Sequence, residues 1–305
     1  MRFSADIVEW IVGARGDLVE AGKVPERVGR FLTNVYDYGN PFRMLRTARD
    51  AWAEGIKRYE PGDEYLFYVG CVGCYDEPGQ RMARSVADLL GKGAVSYGIL
   101  GAQEECCGNE VYNLGEMTLF QALAEKNVRQ FRELGVKKVI TLSPHAYNAM
   151  KNSYPRFGAD FEVCHYTQIV QELLERGVLR PNELPLKVTY HDPCYLGRHN
   201  LVYDTPRAIL GSIPGLELVE MERNRENAFC CGGGSGNFAM DLLGGGADSP
   251  ARRRVREARD TGAEVLATAC PACTTMLVDA VKAEELEDSM TVLDVSEVLG
   301  RSLRG

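Results

Sequence analysis

The feature that most constrains this chain is an order of motifs that occurs twice. Each copy has an apolar run that ends near a cysteine, then a Cys-Cys-Gly triplet, then a second apolar run that leads into a turn and a helical pattern. Cys71 and Cys194 are 123 positions apart, Cys106-Cys107 and Cys230-Cys231 are 124 apart, and VITLSPHA corresponds to LATACPAC at an offset of 127. Near-constant offsets at three landmarks indicate an internal duplication.

Short β-branched and aromatic runs alternate with longer helical patterns within each copy. YLFYVG, KKVITL, LKVTY and AEVLATA predict strands, and residues 79–90, 117–133 and 251–260 predict helices. Strands separated by helices pair in parallel through right-handed crossovers. The sequence therefore predicts an α/β fold of two tandem, pseudo-repeated domains with small parallel sheets. The cysteine clusters follow the C-terminal ends of strands, where open α/β sheets bind ligands.

The chain is expected to divide into three parts. Residues 1–60 have no cysteine, show helical periodicity over 5–20 and 42–59, and break at Gly39-Asn40-Pro41, so they predict a helical lead-in that packs on the first copy. Residues 61–175 form the first copy and residues 187–305 the second. The segment 175–186, which contains Pro181 and Pro185, is interpreted as the link between them.

Composition limits the classes of function. The formal net charge is −8 and no basic tract dominates, which argues against a non-specific nucleic-acid or membrane-surface binder. The first ten residues do not resemble a secretory signal, and no apolar run is long enough to span a membrane, so we expect a cytoplasmic protein, with peripheral attachment to a membrane complex left open. Ten cysteines in such a chain favour metal or redox chemistry over structural disulfides.

The second copy carries five cysteines close to small residues. Gly232-Gly233-Gly234 and Gly236 allow backbone N–H groups to approach a bulky inorganic core. A cubane cluster uses four thiolates, so a fifth cysteine suggests a non-standard iron–sulfur cluster or an open catalytic site. The alternatives are a structural zinc site, for which adjacent cysteines are awkward, and simple buried thiols. The five candidate ligands are Cys194, Cys230, Cys231, Cys270 and Cys273.

The segments GCVGCYD, ECCGNE, HDPCYLGR, FCCGGGSGN and CPACTTML resemble the duplicated cysteine-rich CCG domain of heterodisulfide reductase catalytic subunits. The same domain occurs in iron–sulfur subunits of anaerobic glycerol-3-phosphate dehydrogenase and of glycolate and lactate oxidation systems. The resemblance covers residues 65 to 300 and implies that the five second-copy cysteines hold a noncubane [4Fe-4S] cluster. In heterodisulfide reductases such clusters cleave a disulfide reductively.

The first copy departs from that motif. Ser143-Pro144-His145-Ala146 stands where the closing CxxC is expected, so two ligands are missing, and Cys74 is a cysteine that the motif does not require. Two interpretations stay open. Either Cys71, Cys74, Cys106 and Cys107 hold a second cluster or zinc, with His145 as an extra ligand, or the first site is empty.

The chain contains no CxxCxxCxxxCP run, so a ferredoxin-type iron–sulfur subunit or another electron donor is expected as its partner. The leading hypothesis is an oxidoreductase subunit that passes electrons through its cluster to a disulfide or thiol substrate, or between a dehydrogenase and a carrier. The alternatives are a non-catalytic relay, an accessory subunit, or a zinc-bound scaffold.

The other candidate residues have either a functional or a structural interpretation. His199 is the candidate proton donor, while His191 and Asp192 either tune the cluster or satisfy the turn after the strand. The Gly-rich loop lacks the spacing of a nucleotide site. Arg252, Arg253, Arg254 and Arg256 are interpreted as a solvated helix face or a docking surface, and Cys164 and His165 as structural residues.

Overall fold

The computed structural model describes residues 4–304 and confirms the duplicated α/β architecture. Its two four-stranded sheets have the orders β2-β1-β3-β4 and β6-β5-β7-β8, and every strand pair is parallel. The identical strand order is what a duplication predicts. The strands are β1 (Tyr65–Tyr68), β2 (Tyr97–Gly98), β3 (Lys138–Thr141), β4 (Glu162–His165), β5 (Leu186–Tyr190), β6 (Leu216–Leu218), β7 (Val265–Thr268) and β8 (Thr291–Asp294).

Helices precede, connect and cover the strands. They are α1 (Ser4–Glu20), α2 (Glu26–Tyr38), α3 (Gly70–Tyr75), α4 (Glu77–Lys92), α5 (Asn109–Asn113), α6 (Met117–Glu133), α7 (Pro144–Asn148), α8 (Tyr166–Glu175), α9 (Asp204–Gly211), α10 (Asn237–Met240), α11 (Pro250–Asp260), α12 (Pro271–Ala283) and α13 (Val295–Ser302). Helices α4, α6 and α11 lie where the sequence predicts them. Within the described residues, no helix is both long and apolar enough to cross a membrane.

The lead-in is helical only in part. Helix α2 ends at Gly39, whose φ of 69° makes it a left-handed cap, so the predicted break is confirmed. The helix predicted over 42–59 is wrong, because that segment contains only a 3₁₀ turn at Arg46–Asp50. The Asn40 side chain binds the backbone N–H groups of Phe42 and Met44 and offers the chain an alternative to helical hydrogen bonds.

The two copies share one hydrophobic core. Phe67 and Val86 of the first copy belong to the same buried cluster as Val188 and Leu210 of the second. The buried Tyr166 hydroxyl also donates to Asp294, 128 positions away, at 2.7 and 2.9 Å. This packing brings the C-terminal ends of both sheets, and the cysteines beyond them, close together. The division at residues 61–175 and 187–305 stays a prediction.

Candidate metal centre

Three segments of the second copy position its five cysteines. Cys194 lies in the turns after β5, and Cys230-Cys231 precede α10. Cys270 is the N-cap residue of α12, and Cys273 lies in its first turn. The free backbone N–H groups and positive dipole end of a helix N-terminus favour thiolates there.

The five thiols form one continuous group. Cys231 Sγ lies 3.3 Å from Cys273 Sγ. Cys194 contacts Cys230, Cys230 contacts Cys231, and Cys270 contacts Cys273, each within hydrogen-bonding reach. Cys231, Cys270 and Cys273 are buried, whereas Cys194 and Cys230 are half-buried. The folded chain therefore gathers all five predicted ligands in one place.

Because the thiols lie close together, their pKa values differ from one another. Hydrogen bonds donated to neighbouring thiolates raise the pKa of Cys194, Cys231 and Cys273 well above that of a free thiol. Burial alone would raise the pKa of Cys270, but the bond from Cys273 and the contact with His145 bring it down to about 5. Thiolates this close repel one another, so all five can be deprotonated together only around a cation. A metal cluster meets that condition.

His191 provides a second observation that fits a bound group. Its Nε2 is buried without a hydrogen-bond partner, and a ring nitrogen lies within 4.8 Å of the sulfurs of Cys231 and Cys273. Its Nδ1 accepts a hydrogen bond from Arg254 Nε at 3.1 Å, which leaves the single proton of the neutral ring on Nε2. Burial lowers the pKa of His191 to about 3, so the ring is neutral. His191 is thus oriented to donate a hydrogen bond towards the cysteine group.

Asp192, the neighbour of His191, has a structural role. Its carboxylate binds the Arg207 guanidinium at 2.7 and 2.9 Å and accepts from the Arg225 backbone N–H at 2.8 Å. The sequence left open whether His191 and Asp192 tune a cluster or stabilise the turn after the strand. The structural role describes Asp192, whereas His191 faces the cysteines.

His199 is exposed beside the half-buried edge of the cysteine group. Its ring stacks on Tyr195 with centroids 4.7 Å apart. Burial of part of the ring, followed by the charges of His145 and Arg198, lowers the pKa of His199. A role as proton donor stays a prediction.

The first copy brings together fewer of its cysteines. Cys71, Cys106 and Cys107 border a cavity of about 40 Å³, which is also lined by Ala272 of the second copy. Ser143 also borders this cavity, in the position that corresponds to Cys270. Ala146, in the position that corresponds to Cys273, borders the cavity as well.

Arg49 of the lead-in lies against the first-copy cysteines. Its Nη2 is 3.2 Å from Cys71 Sγ, and its Nη1 is 3.7 Å from Cys74 Sγ and 2.7 Å from Glu104 Oε1. Burial raises the pKa of Cys74, whose thiol lies outside the cavity lining. Nothing in the sequence pattern indicated that a lead-in arginine would reach this site.

The arginine run on α11 is not a uniformly solvated face. Arg254 is buried and donates to Arg223 O, Glu257 and His191, while Arg252 and Arg256 both bind Glu284. Arg253 pairs with Asp248 at the surface. Three of the four guanidiniums are occupied by internal partners, and a docking role for the run stays a prediction.

Cys164 and His165 are structural, as predicted. The Cys164 thiol donates to Val139 O at 3.4 Å within the first sheet. The buried His165 ring contacts Thr167 Oγ1 at 2.8 Å and donates from Nε2 to Leu142 O at 3.2 Å.

Comparison with known proteins identifies the family of both copies. The family described as "CCG: Cysteine-rich domain" matches residues 65–151 and 188–278. The chain is 42% identical to the "Probable iron-sulfur-binding oxidoreductase FadF" of Bacillus subtilis, over 98% of this chain and 44% of that protein. It is 38% identical to the "EtfAB:quinone oxidoreductase" of Syntrophomonas wolfei, over 96% and 43%.

A third relative is matched over more of its own length. The chain is 33% identical to a subunit of the dihydromethanophenazine:CoB–CoM heterodisulfide reductase of Methanosarcina acetivorans, over 97% of this chain and 74% of that protein. The chain spans less than half the length of the first two relatives. Since the family match includes both copies and covers more than half of the residues, the chain belongs to the CCG cysteine-rich domain family.

Proposed function

We propose that this chain is an iron–sulfur oxidoreductase subunit that transfers electrons through one noncubane [4Fe-4S] cluster held by the second copy. The observation that carries the proposal is the convergence of Cys194, Cys230, Cys231, Cys270 and Cys273 from three segments into one group of interacting thiols. The relatives named as iron–sulfur-binding or heterodisulfide-reducing proteins support the same chemistry.

Such a cluster, when bound, supplies single-electron transfer and a site at which sulfur can be captured. The chain's own residues provide the surroundings. Backbone N–H groups donate to the thiols, as Gly232 N does to Cys230 Sγ at 3.3 Å. Hydrogen bonds of this kind, together with the one that His191 is oriented to give, stabilise the negative charge of thiolate ligands.

The half-buried edge of the site favours direct reaction with a small substrate over pure relay. Cys194 and Cys230 are the two ligands with solvent access, and the exposed His199 lies beside them. A disulfide or thiol can approach this edge, whereas the deeper cysteines are closed off. Electrons would come from a ferredoxin-type iron–sulfur subunit or another donor protein.

A zinc scaffold is the competing proposal, because His191, Cys231 and Cys273 have the spacing of a metal-binding group. The orientation of His191 opposes that interpretation. A metal-bound histidine donates its other ring N–H to an acceptor, but His191 Nδ1 faces the donor Arg254 Nε. His191 therefore does not fit as a zinc ligand.

The test is the metal and acid-labile sulfide content of anaerobically purified protein, with electron paramagnetic resonance after oxidation. We expect about four irons and four sulfides per chain, the content of one [4Fe-4S] centre. About eight irons would mean that Cys71, Cys106 and Cys107 also take part in a cluster. Zinc without sulfide would refute the redox proposal.

A further inference from the structure

The ring of His145, a first-copy residue, lies against the second copy. His145 occupies the position that corresponds to Ala272, and it also borders the first-copy cavity. Its centroid is 4.5 Å from that of Tyr195 and 6.4 Å from that of Phe238, both second-copy residues. A ring nitrogen lies within hydrogen-bonding reach of the Cys270 thiol. His145 therefore touches one of the five proposed ligands from outside their own copy.

Glu110 fixes the orientation of that ring. Its Oε1 is 2.5 Å from His145 Nδ1 and accepts from Asn109 Nδ2 at 2.6 Å. A carboxylate surrounded by donors accepts hydrogen bonds, so His145 donates from Nδ1 and turns its Nε2 edge towards Cys270. Glu110 and His145 are both buried, and the corresponding second-copy residues, Gly234 and Ala272, have no functional side chain.

The same carboxylate holds the glycine loop beside Cys230 and Cys231. Glu110 Oε2 accepts from the Gly236 backbone N–H at 2.6 Å. Gly236 has a φ of 74°, and a Cβ at this position would meet the Phe31 ring at 2.9 Å, so only glycine fits there. Glu110 is thus linked to two of the three segments that carry the second-copy cysteines. It binds the glycine loop directly, and it reaches Cys270 through His145.

We propose that Glu110 and His145 are positioning residues of the second-copy metal centre, so that the first copy forms part of that site. The inference rests on the proposed function, because it concerns the same five cysteines. Partners that orient metal ligands change metal affinity about 10- to 100-fold when they are removed. We therefore expect the pair to control how tightly the metal is retained.

The experiment compares the rates at which a ferrous-iron chelator removes iron from anaerobically purified variants. His145→Asn places an amide nitrogen where Nδ1 lies but is too short to reach Cys270, and we expect it to release iron about 10- to 100-fold faster than the wild type. His145→Gln places its amide nitrogen where Nε2 lies and should release iron more slowly than His145→Asn. Glu110→Gln removes the carboxylate charge that holds the His145 ring, so it tests the positioning of the ring without changing His145 itself. It should also increase deuterium exchange in residues 232–236.

Ser143→Ala is the matched control. The Ser143 hydroxyl accepts from His145 N at 3.2 Å and caps α7, so its loss weakens the same helix without removing the imidazole. Equal iron release in His145→Asn and the wild type, or equally fast release in Ser143→Ala, would overturn the inference while leaving the proposed function intact. If His145→Asn fails to fold, unchanged release and exchange in Glu110→Gln would overturn it instead. A wild type without iron would refute both proposals.

Discussion

Replacing Cys231 by Ser is expected to abolish the cluster signal and to reduce iron to a small fraction of the wild-type content. Cys231 is buried at the centre of the thiol group, where it contacts both Cys230 and Cys273. A serine hydroxyl is a poorer ligand for iron than a thiolate. Because Cys231 is buried, no cysteine from the surface of the described part of the chain can replace it as a ligand. Iron and sulfide analysis with electron paramagnetic resonance measures the loss directly.

The control is Cys164→Ser, which changes a cysteine on β4 that belongs to neither motif. This variant should keep the wild-type iron content and spectrum. A full cluster in Cys231→Ser would contradict the assigned ligand set. Retention of about half of an eight-iron content would show that the first copy holds iron independently.

Arg49→Met is expected to lower the free energy of unfolding by about 3–5 kcal/mol, because it leaves a buried charge without its partner. Arg49 is 1% exposed and Glu104 is 2% exposed. Glu104 would keep only the bonds from the backbone N–H groups of Val69 and Gly70. Burial already raises the pKa of Glu104, and Arg49 is the main group opposing that shift. Urea denaturation followed by circular dichroism measures the change.

Arg46→Met is the matched control, because Arg46 also pairs with a glutamate, binding both carboxylate oxygens of Glu105, the residue after Glu104. The Arg46 side chain is 41% exposed, and Glu105 also binds Lys126. Partly exposed pairs contribute about 1 kcal/mol or less, so the control should unfold close to the wild-type urea concentration. An equal decrease in the free energy of unfolding in both variants would show that burial of the Arg49 ion pair does not increase its effect on stability.

Repetition in the sequence determined the architecture. Three landmarks at near-constant offset predicted two copies, and alternating apolar runs and helical patterns predicted parallel sheets; both are confirmed by the identical strand orders. These features follow from local periodicity, which each segment carries by itself. The sequence also singled out the five cysteines that converge, since parallel strands place their C-terminal loops at one edge of a sheet.

Local pattern was insufficient in the lead-in. Residues 42–59 have helical periodicity, yet they form turns in which Trp52 and Arg49 are buried. Propensity is a weak determinant of structure, and here tertiary burial and the Asn40 side-chain bonds override it. Burial likewise made Arg254, which the sequence placed in a surface run, a partner of His191.

Only the tertiary structure decided which residues surround the second-copy cysteines. The contacts of His145 with Cys270, of Glu110 with Gly236 and of Arg49 with Cys71 join segments that no motif relates. Such contacts depend on how two sheets pack through a common core, and that packing fixes which side chains face each other. Periodicity and spacing describe single segments, so the amino-acid sequence by itself determined the fold and the cysteine set, while the packed structure determined their environment.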